Sequence, residues 1–364
     1  MNAFIALALG LREWGHQVQV AASRHFAASM KSIPLSIIPD RRFDRQRELM
    51  EVCRDSDVLV FHPAYLHESA VVSEYLRKPL LYLYPYPYKP DFGPRRLLFN
   101  TNERRKKADV NEWRKRLGLG PLRRDLYKSL EQQQVPVLHA YSPALTPFPN
   151  LVGNHHYYSG AIKSSKPRSH QENGRVPDEL KRWLDDGDTA PIFFGFDRMP
   201  LLEPSAMSAM IAAATKPFHA RAIISVGRMS AWAEMPFLSA ETVFTVPSVD
   251  HGWLFPRCSC IIHHGGAELT HLAAASGIPS IICSTYDDEA YWGERTAFMN
   301  IGRHLPFSKM SPERLQQMVL EVRQPSVRVR SEELGRRMQA ENGLHHALEW
   351  LEQQLIAAPI YRNE

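Results

Sequence analysis

No stretch of the 364 residues stays apolar long enough to cross a bilayer, which excludes a spanning helix. Cysteine is scarce. Cys53, Cys258, Cys260 and Cys283 show no paired Cys-x-x-Cys spacing, and three of them sit in strand-like segments where free buried thiols are common. A reducing cytoplasm fits that usage, and a metal site does not. Internal repeats and low-complexity segments are absent too. A basic leader is missing from the start, MNAFIALALGL, which otherwise resembles the core of a signal peptide. Because it runs directly into LREWGHQVQVAA, it is read as a buried helix of a cytoplasmic protein. What remains is the composition of a soluble globular protein, 44% hydrophobic and 23% charged, with a length that implies two domains.

The net charge of +5 is unevenly spread. Between Lys89 and Lys128 there are thirteen Lys/Arg against five Asp/Glu, including Arg104-Arg105-Lys106-Lys107. No aromatic-interleaved stacking motif or zinc spacing accompanies this run, so a solvated loop and helix face is preferred over a nucleic-acid interface.

Hydrophobic patterning predicts alternating helices and strands. The first series is a helix at 3–15, strands at 17–22, 33–39 and 58–62, a helix at 67–77 and a strand at 79–84. Such alternation signals a parallel sheet with crossover helices. The segment Tyr82 to Pro90 alternates tyrosine with proline and is either a rigid aromatic loop beside a ligand or a proline-capped strand exit. After a polar stretch from Ile162 to Gly174 a second series begins. Its helices fall at 177–186, 204–214, 267–276 and 289–300, and its strands at 190–196, 220–226, 242–246, 259–263 and 279–283. From Ser311 to about Ala357 the chain reads as helical, interrupted near Pro325. The expected domains are 1–161 and 176–345, with a linker at 162–175 and a terminal helix and tail at 346–364.

Residues 254–295 carry the strongest chemical signal. A strand runs into the turn His263-His264-Gly265-Gly266, a helix starts, a second strand opens at Gly277-Ile278-Pro279, and an acidic loop is closed by Trp292-Gly293. An α/β domain builds a phosphate-ready pocket this way: glycines allow close backbone approach, and a helix N-terminus favours an anion.

Several blocks together resemble a known family, the bacterial nucleotide-sugar-dependent glycosyltransferases that decorate natural products and lipids. These are relatives of the sterol glucosyltransferases and have the GT-B fold. The matching blocks are FIALALGLREWGHQVQVAA (4–22), VNEWRKRLGLGP (110–121), LHAYSPALTPFP (138–149), VPDELKRWLDDGDTAPIFFGF (176–196), VPSVDHGWLFPRC (246–258), HHGGA (263–267), ASGIPSII (275–282) and YDDEAYWGERTA (286–297). The resemblance implies an α/β protein of two Rossmann-like domains facing a cleft. It also implies that His264 and the amides of Gly265, Gly266 and Ala267 hold a donor diphosphate. On the same basis the loop containing Val249 and His251 brackets the nucleotide base. Asp288 and Glu289 meet the sugar hydroxyls, and the loop from Gly195 passes near the phosphates. The acceptor is expected against the first domain, beside Tyr84, Tyr86 and Tyr88, with His62 facing it. No cofactor or metal is called for beyond a UDP- or TDP-linked sugar as co-substrate, because helix dipole and amides stabilise the leaving diphosphate.

Four departures from the family pattern bear on activity. The family's first strand and its Gly-rich turn, which carries the usual general base, precede the helix that begins here at Asn2-Ala3. The first domain is therefore expected to lack that strand, and no catalytic residue is assigned. The family's Gly-Thr after HHGGA is Glu268-Leu269; Glu268 either repels a diphosphate or complements the helix dipole from the first turn, and Leu269 removes a hydroxyl. The Gly-Ser of the glycine loop is Asp197-Arg198; Arg198 either restores a phosphate contact or pairs with a neighbouring acid. The glutamine of the sugar-binding pair is Glu289, either an acceptor suited to an amino sugar or a solvated surface acid. Among the other histidines, His263 is read as a strand-end residue, His16 as structural and His155-His156 as a surface pair.

The resulting expectation is an inverting, metal-independent glycosyltransferase acting on a small lipophilic or aromatic acceptor. The competing expectation is a catalytically silent GT-B homologue that binds a partner or small molecule. Peripheral membrane contact and oligomeric state stay open.

Overall fold

A computed structural model describes residues 2–23, 34–39, 42–87, 107–122, 126–146, 155–162, 176–196, 204–226, 239, 241–247 and 249–357. The linker 163–175, the tail from 358, Tyr88, and Asp197-Arg198 lie outside the described residues, as does most of the basic run. The chain divides into two compact units, 1–141 with 148–164 and 342–364, and 142–147 with 165–341. No described helix is long and apolar enough to cross a membrane.

Unit 1 begins with α1 (Asn2–Glu13), β1 (Val20–Ser23), β2 (Leu35–Ile38), α2 (Arg42–Cys53), β3 (Leu59–Phe61), α3 (Leu66–Leu76) and β4 (Leu80–Tyr84). It continues with a helix over 107–116 (α4), α5 (Leu126–Gln132), β5 (Val137–His139) and β6 (His156–Tyr158). All pairings are parallel, and the described strands form two sheets, β1-β2 and β3-β4-β5-β6. Alternation along β4 sends Tyr82 and Tyr84 into one apolar cluster with α2, α3, α4 and α5, and Leu81 and Leu83 into another. Helix α1 serves both sheets: Ile5 and Ala8 pack with Ala22 of β1, while Ala3 and Leu7 pack with Leu81, Leu83 and Leu138. Helix α2 has no counterpart among the expected elements, because its sequence, RFDRQRELMEVC, is mostly polar; among its described side chains, Leu49, Met50, Cys53 and Gln46 are buried.

Unit 2 contains α6 (Asp178–Asp185), β7 (Ile192–Gly195), α7 (Pro204–Thr215), β8 (Ala222–Ser225), β9 (Val243–Val246), α8 (His251–Leu254), β10 (Cys260–His263) and α9 (Ala267–Ser276). Then follow β11 (Ser280–Ser284), α10 (Asp287–Phe298), β12 (Gly302–Pro306), α11 (Pro312–Val322) and α12 (Pro325–Gln339). The six strands are parallel, in the order β12-β11-β10-β7-β8-β9. This is the doubly wound order of a dinucleotide-binding sheet, in which the order of strand addition reverses between β7 and β10. One face buries Phe194, Ile224 and Ile262 under α7 and α11; the other buries Phe193, Ile223 and Ile261 under α6, α8 and α9. The chain ends in α13 (Gly343–Ala357), which returns to unit 1. There Leu348, Trp350 and Leu351 join the α1 cluster, and Glu352 meets His16 at 3.2 Å. The helical tail is thus broken twice, at Arg323-Gln324 and again at 340–342.

Candidate functional site

Unit 2 gathers the residues of the candidate donor site where its sheet reverses. Gly195, the last residue of β7, is paired in register with His263, the last residue of β10. A side chain at Gly195 would strike the Phe193 ring at 2.7 Å and approach Leu269 at 3.4 Å, so the two strand ends and α9 close without one. The His264 ring lies across this junction, buried, with Nδ1 3.4 Å from the Gly195 carbonyl oxygen. A carbonyl can only accept, so Nδ1 carries the proton and Nε2 is left as an acceptor in the neutral ring. That Nε2 stands 2.7 Å from where a Cβ on Gly266 would be. Gly265 adopts φ +98°, and a Cβ there would meet Ile282 at 2.5 Å and the Glu289 carbonyl at 3.0 Å. Each glycine of the turn is therefore fixed by a neighbour.

Helix α9 opens from Gly266, which makes no side-chain cap hydrogen bond. Glu268 is exposed in that first turn, where its charge complements the helix dipole. Leu269 turns inward and packs with the cluster containing Phe193 and Phe255.

Glu289 is buried, which rules out the solvated-acid alternative. Its Oε2 accepts from the backbone amides of Thr285 at 2.7 Å and Tyr286 at 3.0 Å, closing a capping box at the start of α10. Asp288 beside it is half-buried. Replacing Glu289 by alanine is expected to lower stability by about 1–2 kcal/mol, while glutamine retains most of it. Urea unfolding of both variants checks this, and equal losses would remove the capping role. Trp292, fully buried, stands edge-on to His271 at 4.8 Å and to Tyr291 at 5.1 Å, behind this loop.

On the third side, Val249 is buried, and His251 packs edge-on to Phe193 at 5.5 Å and against Phe255 at 4.9 Å. Asp250 between them caps α8 through the Gly252 amide at 2.8 Å. Gly195, Val249, His251, the run His264 to Leu269, and Glu289 are therefore assembled on one edge of one unit. Arg198 lies outside the described residues.

In unit 1, His62 follows β3, and its Nδ1 accepts from the Ala64 amide at 3.1 Å. Burial pushes its pKa down to about 4, so at neutral pH it is uncharged with the proton on Nε2. Its ring stands edge-on to Tyr86 at 5.9 Å and against Phe4 at 5.9 Å. Tyr84, at the end of β4, is edge-on to His139 at 5.5 Å.

No motif or spacing in the sequence singles out His139. It is buried, stacks on Tyr158 at 4.2 Å, and its two nitrogens meet His156 Nδ1 at 2.9 Å and Tyr141 Oη at 3.1 Å. The surface position expected for His156 is corrected accordingly: β6 places it beside β5, half-buried and bonded. Only the three-dimensional pairing of two three-residue strands brings these rings together. Among the described residues no group of three or more His, Cys, Asp or Glu is placed to hold a metal ion.

Comparison with known proteins agrees with this architecture. Residues 226–345 match the family model described as "Erythromycin biosynthesis protein CIII-like, C-terminal domain". The sterol 3-beta-glucosyltransferases UGT80B1 and UGT80A2 of Arabidopsis thaliana are 25% and 26% identical over 96% of this chain, which spans 65% and 62% of their lengths. An uncharacterized glycosyltransferase of Mycobacterium bovis is 28% identical over 80% of this chain and 71% of its own. Among solved structures, the calicheamicin glycosyltransferase CalG4 superposes with a TM-score of 0.72 at 14% identity, covering 98% of this chain and 95% of that one. The spinosyn rhamnosyltransferase SpnG complexed with thymidine diphosphate gives 0.71 at 16% identity, covering 96% of each. In fold, the chain is similar to the natural-product glycosyltransferases of known structure.

Proposed function

We propose that the chain transfers a sugar from a nucleoside diphosphate donor to a hydroxyl or amine of a small lipophilic or aromatic acceptor, a natural product or lipid, with inversion. The observation that carries this is the convergence at the sheet reversal of unit 2. Gly195, His264, the Gly265-Gly266 turn and an uncapped helix start meet where doubly wound sheets bind anionic ligands. The diphosphate sits at the start of α9, the base beside Val249 and His251, and the sugar near Asp288. Helix dipole and amides stabilise the leaving diphosphate without a metal. Inversion requires in-line displacement at the anomeric carbon: the acceptor–carbon bond forms as the carbon–oxygen bond to the diphosphate breaks, and the acceptor proton passes to solvent or to the leaving diphosphate. His62 cannot take a proton through Nε2, which already carries one.

Isothermal titration with UDP and TDP tests the donor side. Binding of either, undiminished by EDTA, is expected; no binding of both would sink ordinary donor use.

The second reading, a catalytically silent homologue, is favoured by one observation, the exposed carboxylate of Glu268 in the first turn of α9. The double change Glu268→Gly and Leu269→Thr is expected to raise nucleotide affinity about threefold to tenfold by removing repulsion at the phosphate. Unchanged affinity would show that Glu268 stands clear of the ligand.

A further inference from the structure

His263 is the most buried titratable group beside the candidate donor site, and none of the contacts proposed above uses it. It has no solvent exposure, and it shares a sheet face with Ile261, toward the cluster of Val249, Leu254 and Phe255. Its Nδ1 accepts from the Gly265 amide at 3.1 Å. An amide can only donate, so Nδ1 carries no proton and Nε2 does. That Nε2–H is buried with no hydrogen-bond partner among the described residues.

This combination is informative. A buried donor left unsatisfied opposes folding, and leucine or phenylalanine would fill the same apolar space without it. What imidazole supplies is an acceptor two residues before Gly265, within reach of the one amide whose direction is tied to the positive φ of the turn. The other side of Gly265 is closed by Ile282 and the Glu289 carbonyl. Gly265 is thus clamped from both sides immediately before the uncapped start of α9 and next to His264.

We propose that His263 is the positioning residue of the donor site: by accepting the Gly265 amide through Nδ1, it sets the direction in which the following helix start and the His264 ring meet a nucleoside diphosphate. The inference rests on the donor-site reading above and names a residue that reading leaves without a role. Burial, followed by the neighbouring His264 and His251, holds the His263 pKa well below its ordinary value, so the acceptor lone pair persists across the neutral range.

Two substitutions separate positioning from packing. Asparagine places Oδ1 close to the position of Nδ1, whereas glutamine reaches toward Nε2 and leaves Gly265 unserved. His263→Asn is expected to bind TDP within about threefold of the native chain, and His263→Gln about tenfold or more weakly, at similar thermal stability. Equal affinity of the two variants overturns the proposal, because a residue that only fills space does not distinguish them. Long-range ¹⁵N–¹H NMR of the native chain reads the tautomer directly, whether or not either variant folds. A proton found on Nδ1 overturns the proposal as well. Failure of the native chain to bind UDP or TDP overturns the donor-site reading and, with it, the functional part of this one. Binding by the native chain with indistinguishable variants overturns only the role of His263.

Discussion

Alanine at Gly265 is expected to lower stability by about 2–5 kcal/mol and to remove measurable nucleotide binding. Two effects add. The backbone stands at φ +98°, where a Cβ collides with its own chain, and that Cβ would also lie 2.5 Å from Ile282 and 3.0 Å from the Glu289 carbonyl. The first strain is relieved only by rotating the peptide, which breaks the Gly265–His263 hydrogen bond. Relieving the second requires β11 and the start of α10 to move apart, and both belong to the candidate site. Chemical denaturation and TDP titration of the same preparation check the pair of outcomes. A loss below about 1 kcal/mol with native affinity would show that the turn has other conformations available and is not the fixed frame described.

Acidification from pH 7 to pH 5 is expected to destabilise the chain, with His139 alone contributing about 2 kcal/mol and about 4 kcal/mol near pH 3. Burial, reinforced by His156, lowers the His139 pKa from 6.5 to about 3. The unfolded chain takes up a proton near 6.5 while the folded chain does not, so this contribution is complete above 6.5 and is lost as pH falls toward 3. His62, His263 and His304 are shifted the same way, each chiefly by burial. On the alkaline side, burial raises Cys53 to about 11 and Cys260 and Cys283 to about 12, so unfolding becomes easier above their ordinary value of 9.0. Maximal stability is therefore expected between about 6.5 and 9. Urea midpoints at pH 7, 6 and 5 for the native chain and for His139→Gln provide the check. The native chain should lose stability more steeply; parallel curves would mean that His139 is hydrated in the folded protein.

Much of this molecule is legible along the chain. The helix Ala267–Ser276 falls where its periodicity and flanking glycines place it, with Gly277 at φ +73° ending it. The strands of unit 2 fall within a residue or two of their apolar runs. Less legible were β5, β6 and β12. The first two have three residues each, too few for a period of two to register, and β12, GRHLP, is not apolar. The candidate donor residues stand out in the sequence because they sit beside glycines whose conformations are locally demanding. Glu289 shows the limit: its type and position suggested a ligand contact, but its carboxylate is engaged by two amides a few residues upstream.

By itself the sequence determined the alternation of strands and helices and the presence of a glycine turn between a strand and a helix start, from His263 to Ala267. These follow from hydrophobic period and from glycine dihedrals, both properties of neighbouring residues. The tertiary structure alone decided that Gly195 meets His264 across 69 residues, that His139 meets His156, and that the last helix packs with the first. Backbone hydrogen bonds between strands are chemically alike at every position, so a strand does not carry the name of its partner. That choice is made only when whole faces are buried together.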